Sequence, residues 1–140
     1  MILLDTTVLV YAVGADHRLR TPARRLITSI GVGRVAATTT PEVIQEFTHV
    51  RARREGRGEA AALSREFVTL LTPLTTVTPT DLTAGLEVFE RAPSLGCFDA
   101  VLVAVARRLA APLVSADRRF EPVLGDDVLA LDGARLAELL

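Results

Sequence analysis

Lysine is absent from this 140-residue chain, and all sixteen of its basic residues are arginine. The absence excludes Schiff-base chemistry, a lysine nucleophile and a lysine-bearing phosphate loop. Cysteine is represented only by Cys97, which excludes an internal disulfide and a cysteine-based zinc site. A chain without disulfides fits a reducing compartment, and we expect it to be cytoplasmic.

Aromatic residues and long apolar runs are also scarce. There is no tryptophan and one tyrosine, which leaves little material for stacking nucleobases. The longest apolar run, residues 100–106, is far too short to span a bilayer, and the N-terminus lacks the basic and apolar regions of a signal peptide. The net charge of −1 argues against binding nucleic acid through bulk positive charge. We therefore expect one domain, residues 1–140, with no membrane segment.

Short apolar runs alternate with amphipathic segments along the whole chain. Thr–Pro pairs at Thr21, Thr40 and Thr78 are typical of helix starts, and residues 99–110 form a strongly apolar helix pattern. Residues 8–12 fit a strand or a helix equally well. The pattern predicts an α/β fold with helices on both faces of a parallel sheet. Its strands would be about five in number: 2–4, 35–37, 74–77, 112–115 and 128–131.

Three aspartates stand where ligands bind in such sheets, at the carboxyl ends of the strands. Asp5 directly follows the first strand, Asp117 follows the fourth, and Asp99 begins the apolar helix that leads into the fourth. Each also has an ordinary structural explanation. Asp5 and Asp99 are plausible helix caps and Asp117 a turn residue. Those explanations leave unexplained why three acids collect at one sheet edge.

Glu46 is the fourth candidate and depends on its place on a helix. At 100° per residue it borders the apolar stripe of Val43 and Val50 and is expected to lean inward. Glu42 lies further from the stripe, in the first helical turn, where a carboxylate suits the helix dipole. An exposed Glu46 at the edge of its stripe is the alternative.

Several carboxylates in one place repel each other, so at least one takes up a proton unless a cation neutralises them. Oxygen-only ligands favour Mg²⁺, with Mn²⁺ as a substitute. Hydroxyls of Thr6, Thr7 and Ser115 are placed to orient the carboxylates or metal-bound water. A metal held in this way suits phosphodiester hydrolysis by an activated water.

Four segments resemble the motifs of the PIN-domain nucleases, most closely the VapC-type toxins of toxin–antitoxin pairs. They are residues 1–12 with Asp5, 40–47 with Glu46, 98–106 with Asp99, and 113–120 with Asp117. The third is the most specific, and four in order are far more specific than any one. Thr7 departs from the family, which usually has Asn or Ser there.

The resemblance implies the PIN-like three-layer α/β/α fold and an Mg²⁺-dependent endoribonuclease that uses the four acids. It also implies a homodimer inhibited by a cognate VapB-type antitoxin. A densely basic helix end offers contact with RNA phosphates as an alternative to a solvated surface: Arg51, Arg53, Arg54 and Arg57. Two other functions remain open, a non-catalytic RNA- or protein-binding module and a phospho-acceptor domain.

Overall fold

The computed structural model describes all 140 residues and places a parallel β-sheet at the centre of the protein. The strands are β1 (Ile2–Leu4), β2 (Ala37–Thr38), β3 (Leu113–Ser115) and β4 (Val128–Ala130). Their order across the sheet is β2-β1-β3-β4, and every pair is parallel. The predicted α/β class and four of the predicted strands are confirmed.

The fifth predicted strand, residues 74–77, is wrong. This segment runs beside β2 and donates one backbone hydrogen bond, from Thr75 N to Thr39 O at 2.9 Å, but it forms no ladder. The hydroxyl of Thr38 instead donates to Pro73 O at 2.9 Å. A side chain of β2 thus holds part of the contact that a strand would make through its backbone.

Eight α-helices connect and cover the strands. They are α1 (Thr6–Val13), α2 (Arg20–Gly31), α3 (Pro41–Glu55), α4 (Arg57–Leu71), α5 (Pro79–Arg91), α6 (Cys97–Leu109), α7 (Glu121–Leu124) and α8 (Ala134–Ala137). The segment 8–12, open to either interpretation, is helical. Because parallel strands need crossover connections, the helices lie on both sides of the sheet in three α/β/α layers.

Side-chain caps explain the starts of three of the eight helices, α1, α3 and α5. Thr40 accepts a hydrogen bond from Val43 N, and Thr78 exchanges hydrogen bonds with Asp81 in a capping box, as the Thr–Pro pairs predict. The third pair is different. Helix α2 begins at Arg20, Leu19 occupies its N-cap without a side-chain hydrogen bond, and Thr21 lies inside the helix.

The hydrophobic core joins the sheet to the helices around it. All three residues of β1 are buried, and so are six of the thirteen residues of α6. Helix α5 lies so close to α6 that a Cβ on Gly85 would stand 2.7 Å from the Cα of Val101. The packing of the helices on the sheet fixes the starts of α1, α3 and α6 relative to the carboxyl edge of the sheet. None of the helices combines the length and the apolar character needed to cross a membrane.

Candidate metal-binding active site

Asp5 lies at the carboxyl end of β1, where the strand turns directly into α1. Its backbone N–H donates to Val114 O on β3 at 3.0 Å, and its side chain caps α1 by accepting from Thr7 N. The residue is only 3% exposed, so its charge stands in a largely water-excluded place. The capping explanation is thus correct for Asp5, and it does not remove the carboxylate from the sheet edge.

Two hydroxyls hold one oxygen of the Asp5 carboxylate. Thr7 Oγ1 and Ser115 Oγ each donate to Asp5 Oδ2 at 2.7 Å. Ser115 also accepts from Asp117 N at 2.9 Å, and Thr7 Oγ1 accepts from Ala116 N at 3.0 Å. The other oxygen, Asp5 Oδ1, accepts no hydrogen bond. Thr7 therefore performs a polar role at this position, and its β-branch is accommodated.

Asp99 enters the site from the first turn of α6. The N-cap of this helix is Gly96, so the capping explanation for Asp99 is wrong. Its side chain is 21% exposed and accepts no hydrogen bond. Burial raises the pKa of Asp99 to about 6, and repulsion from Asp5, Glu46 and Asp117 acts in the same direction, while Arg119 lowers it. The other three predicted acids therefore all act electrostatically on Asp99.

Asp117 follows β3 and is paired with Arg119, a residue that sequence reasoning did not select. Arg119 Nε donates to Asp117 Oδ1 at 3.0 Å and to Oδ2 at 2.8 Å, and Arg119 Nη2 lies 3.7 Å from Asp99 Oδ2. The ion pair holds the pKa of the Asp117 carboxyl below its usual range. The spacing of two residues across a turn was the available signal, because it brings Arg119 back onto Asp117.

Glu46 and Glu42 differ from expectation in burial. Glu46 is exposed and Glu42 is half-buried, with Oε2 enclosed and without a hydrogen-bond partner, so the predicted inward lean of Glu46 is wrong. Glu46 is nevertheless the acid that meets the site, because Thr6 Oγ1 donates a short hydrogen bond to its Oε2. Thr6 begins α1 beside Asp5, which links the second acidic motif to the first.

The donor set has the chemistry of a magnesium or manganese site. All of its potential metal ligands are oxygen atoms, Asp5 Oδ1 and the Asp99 carboxylate are free of hydrogen bonds, and Arg119 is the only cation paired with any of the four acids. No group of three acidic, histidine or cysteine side chains is arranged to hold a metal ion in this geometry. The residues thus fit a hard divalent cation by type and charge, and they need side-chain movement to enclose it.

The four arginines of the predicted basic cluster, at the end of α3 and the start of α4, differ in their contacts. Arg51 donates to both carboxylate oxygens of Glu59 and to Val13 O, and its side chain is only 15% exposed. It joins α1, α3 and α4, so its guanidinium is not free for RNA. Arg53, Arg54 and Arg57 are exposed and make no ion pair, and contact with RNA stays a prediction for them.

Comparison with known proteins places this geometry in a family. The PIN domain model matches residues 2–123. The chain is 52% identical to Ribonuclease VapC7 of Mycobacterium tuberculosis, with all of this chain and 98% of that protein covered. It is 32% identical to Ribonuclease VapC23 of the same species, over 77% of this chain and 85% of that protein.

A solved structure supports the fold independently. The crystal structure of Mycobacterium tuberculosis VapC20, described as a sarcin–ricin loop cleaving toxin, matches with a TM-score of 0.70 at 20% identity. The match covers 83% of this chain and 88% of that one. With four motif acids at the carboxyl edge of a parallel sheet, the chain belongs to the PIN-domain family, among its VapC-type members.

Proposed function

We propose that this protein is a metal-dependent endoribonuclease and acts as the toxin of a toxin–antitoxin pair. The observation that carries the proposal is the meeting of Asp5, Glu46, Asp99 and Asp117 at the carboxyl edge of the sheet, where Arg119 is the only cation paired with any of them. The pKa of Asp99, raised to about 6 chiefly by burial and further by the other three acids, agrees with this arrangement. Perturbed carboxylates of this kind concentrate at functional sites. The ribonuclease names of VapC7 and VapC23 support the same activity.

In this proposal Asp5, Glu46, Asp99 and Asp117 hold Mg²⁺, or Mn²⁺ in its place. The ion would supply an activated water and would neutralise charge on the scissile phosphate. Thr7 and Ser115 fix one oxygen of Asp5, which leaves the other for the ion. Thr6 does the same for Glu46 through its hydrogen bond to Oε2. The Asp99 side chain is 21% exposed and accepts no hydrogen bond, so both of its oxygens are free for an incoming ligand.

The test is cleavage of single-stranded RNA by the purified protein. We expect cleavage with Mg²⁺ or Mn²⁺, none with a chelator, and none by Asp99→Asn. Asp16→Asn, the same change at an exposed site on the loop after α1, is the matched control and should keep full activity. Activity in chelator or in Asp99→Asn would refute the proposal. RNA binding without cleavage at saturating metal would instead indicate a binding module.

We propose RNA, a VapB-type antitoxin and a second copy of the chain as partners, in the cytoplasm. The exposed face of α5 supports a protein contact, because Leu82, Leu86 and Phe89 form an apolar stripe at helical spacing, each 45–48% exposed. We assign this stripe to the homodimer. Phe89→Arg should then convert a dimer into a monomer in light scattering, and an unchanged mass would refute the assignment.

A further inference from the structure

Arg119 takes up most of the acceptor capacity of the Asp117 carboxylate. Oδ1 accepts from the backbone N of Arg119 at 2.9 Å and from its Nε at 3.0 Å, and Oδ2 accepts from Nε at 2.8 Å and from Nη2 at 2.5 Å. A carboxylate offers about four lone-pair positions. The single Nε–H is shared between the two oxygens, so three N–H groups of Arg119 bind Asp117 and leave it little capacity for a metal ion or a metal-bound water while Arg119 stays in place.

The same guanidinium also faces the rest of the acidic site. Its Nη2 lies 3.7 Å from Asp99 Oδ2, and Arg119 is the only cation paired with either acid. Arg119 thus supplies positive charge at the position where the acidic cluster needs a counter-ion. The guanidinium makes hydrogen bonds to Asp117 alone, and the side chain is 57% exposed. Exposed ion pairs contribute little to stability, so this one can be exchanged for a stronger cation.

We propose that Arg119 is the resident counter-ion of the metal-free site, that it yields Asp117 to the divalent ion, and that its freed guanidinium then binds a phosphate of the RNA. The proposal rests on the proposed function in taking the four acids as the metal site. Arginine suits the second role because its planar fork matches phosphate as well as carboxylate. Arg119 is a positioning residue for the metal and a binding residue for the substrate.

Calorimetric titration with Mn²⁺ alone tests the exchange without any RNA. Arg119→Ala should bind Mn²⁺ roughly twofold to fivefold more tightly than wild type, the range expected when an exposed ion pair no longer competes. Arg119→Lys keeps the charge but lacks the fork, so its gain should be smaller. Arg118→Ala removes an equal charge from the neighbouring exposed residue and is the matched control. It should show no comparable gain.

Two calorimetric results would overturn the exchange. One is Mn²⁺ affinity in Arg119→Ala that is equal to or below that of wild type. The other is an equal gain in Arg118→Ala, which would reduce the effect to bulk charge. Failure of the wild type to bind Mn²⁺ would instead refute the metal site itself, so the two failures are distinguishable.

Steady-state cleavage of a labelled single-stranded RNA of mixed sequence, at saturating Mn²⁺, tests the phosphate contact. Arg119→Ala should raise KM several-fold with a smaller change in kcat, and Arg119→Lys, which keeps the charge without the fork, should restore only part of the loss in KM. If Arg119 had a purely structural role, its loss would not improve Mn²⁺ binding and impair RNA binding in the same variant. An unchanged KM in Arg119→Ala would refute this half of the proposal.

Discussion

Replacing Asp99 by asparagine should stabilise the metal-free protein at neutral pH. The pKa of Asp99 is about 6 in the folded protein, against an ordinary value of 3.8, chiefly because burial disfavours its charged form. Between these pH values the folded state binds more protons than the unfolded chain. The free energy of unfolding therefore falls as pH rises through this interval, and the loss is complete above the folded pKa.

The magnitude follows from the two pKa values. The interval from 3.8 to about 6 corresponds to about 3 kcal/mol at 1.36 kcal/mol for each tenfold change in proton affinity. Water reaches the 21% of the side chain that is exposed, so we expect a gain of about 1 to 3 kcal/mol for Asp99→Asn at pH 7.5. At pH 4 the wild-type carboxyl is largely protonated, and the gain should nearly vanish.

Urea unfolding in chelator at pH 4 and pH 7.5 measures both values. Asp16→Asn, at an exposed position, should show no comparable pH-dependent gain. Saturating Mn²⁺ should make the wild type more stable than Asp99→Asn, because an ion that binds only the folded wild type stabilises it. Equal stability of wild type and Asp99→Asn at pH 7.5, or the same gain at pH 4, would show that repulsion and burial do not strain this carboxyl.

Three further predictions concern the packing of α5 on α6 and the support of Asp5. Gly85→Ala should lower the free energy of unfolding in urea by about 1 to 3 kcal/mol, because the new Cβ would stand 2.7 Å from Val101 Cα, whereas Gly58→Ala, with open space around it, should not; equal stability of the two variants would contradict the close approach. Arg108→Ala should cost about 1.5 to 3 kcal/mol, because it leaves the buried carboxylate of Asp81 without its 2.7 Å partner. Arg108 lowers the pKa of Asp81, so in a pH series of urea curves this cost should shrink on acidification, and a cost that is constant with pH would contradict the pairing. Thr7→Val should weaken Mn²⁺ binding about tenfold in calorimetry while Thr7→Ser keeps it, because valine lacks the hydroxyl that, with Ser115, holds Asp5 Oδ2; similar affinities for both would exclude that role.

Much of the fold could be predicted from interactions between residues close together in the sequence. The Thr–Pro pairs at Thr40 and Thr78 predict two helix starts correctly, because an N-cap hydroxyl and a proline in the first turn act within a few residues. The segment 74–77 has the composition of a strand, yet strand formation depends on a ladder with a distant partner. Here the neighbouring strand is β2, and the contact with it consists of the Thr38 hydroxyl bonded to Pro73 O and a single backbone bond from Thr75 N, so no ladder forms.

The candidate site divides in the same way. By itself the sequence determined the acids at the strand ends, because parallel pairing of β1 with β3 brings Asp5 and Asp117 to the same edge of the sheet. Only the tertiary structure decided which charges meet there. Arg51 pairs with Glu59, and Arg119 pairs with Asp117 and lies beside Asp99. Glu46 accepts a hydrogen bond from Thr6. Periodicity gives the direction of a side chain from its own helix, whereas pairing depends on which other element packs opposite it.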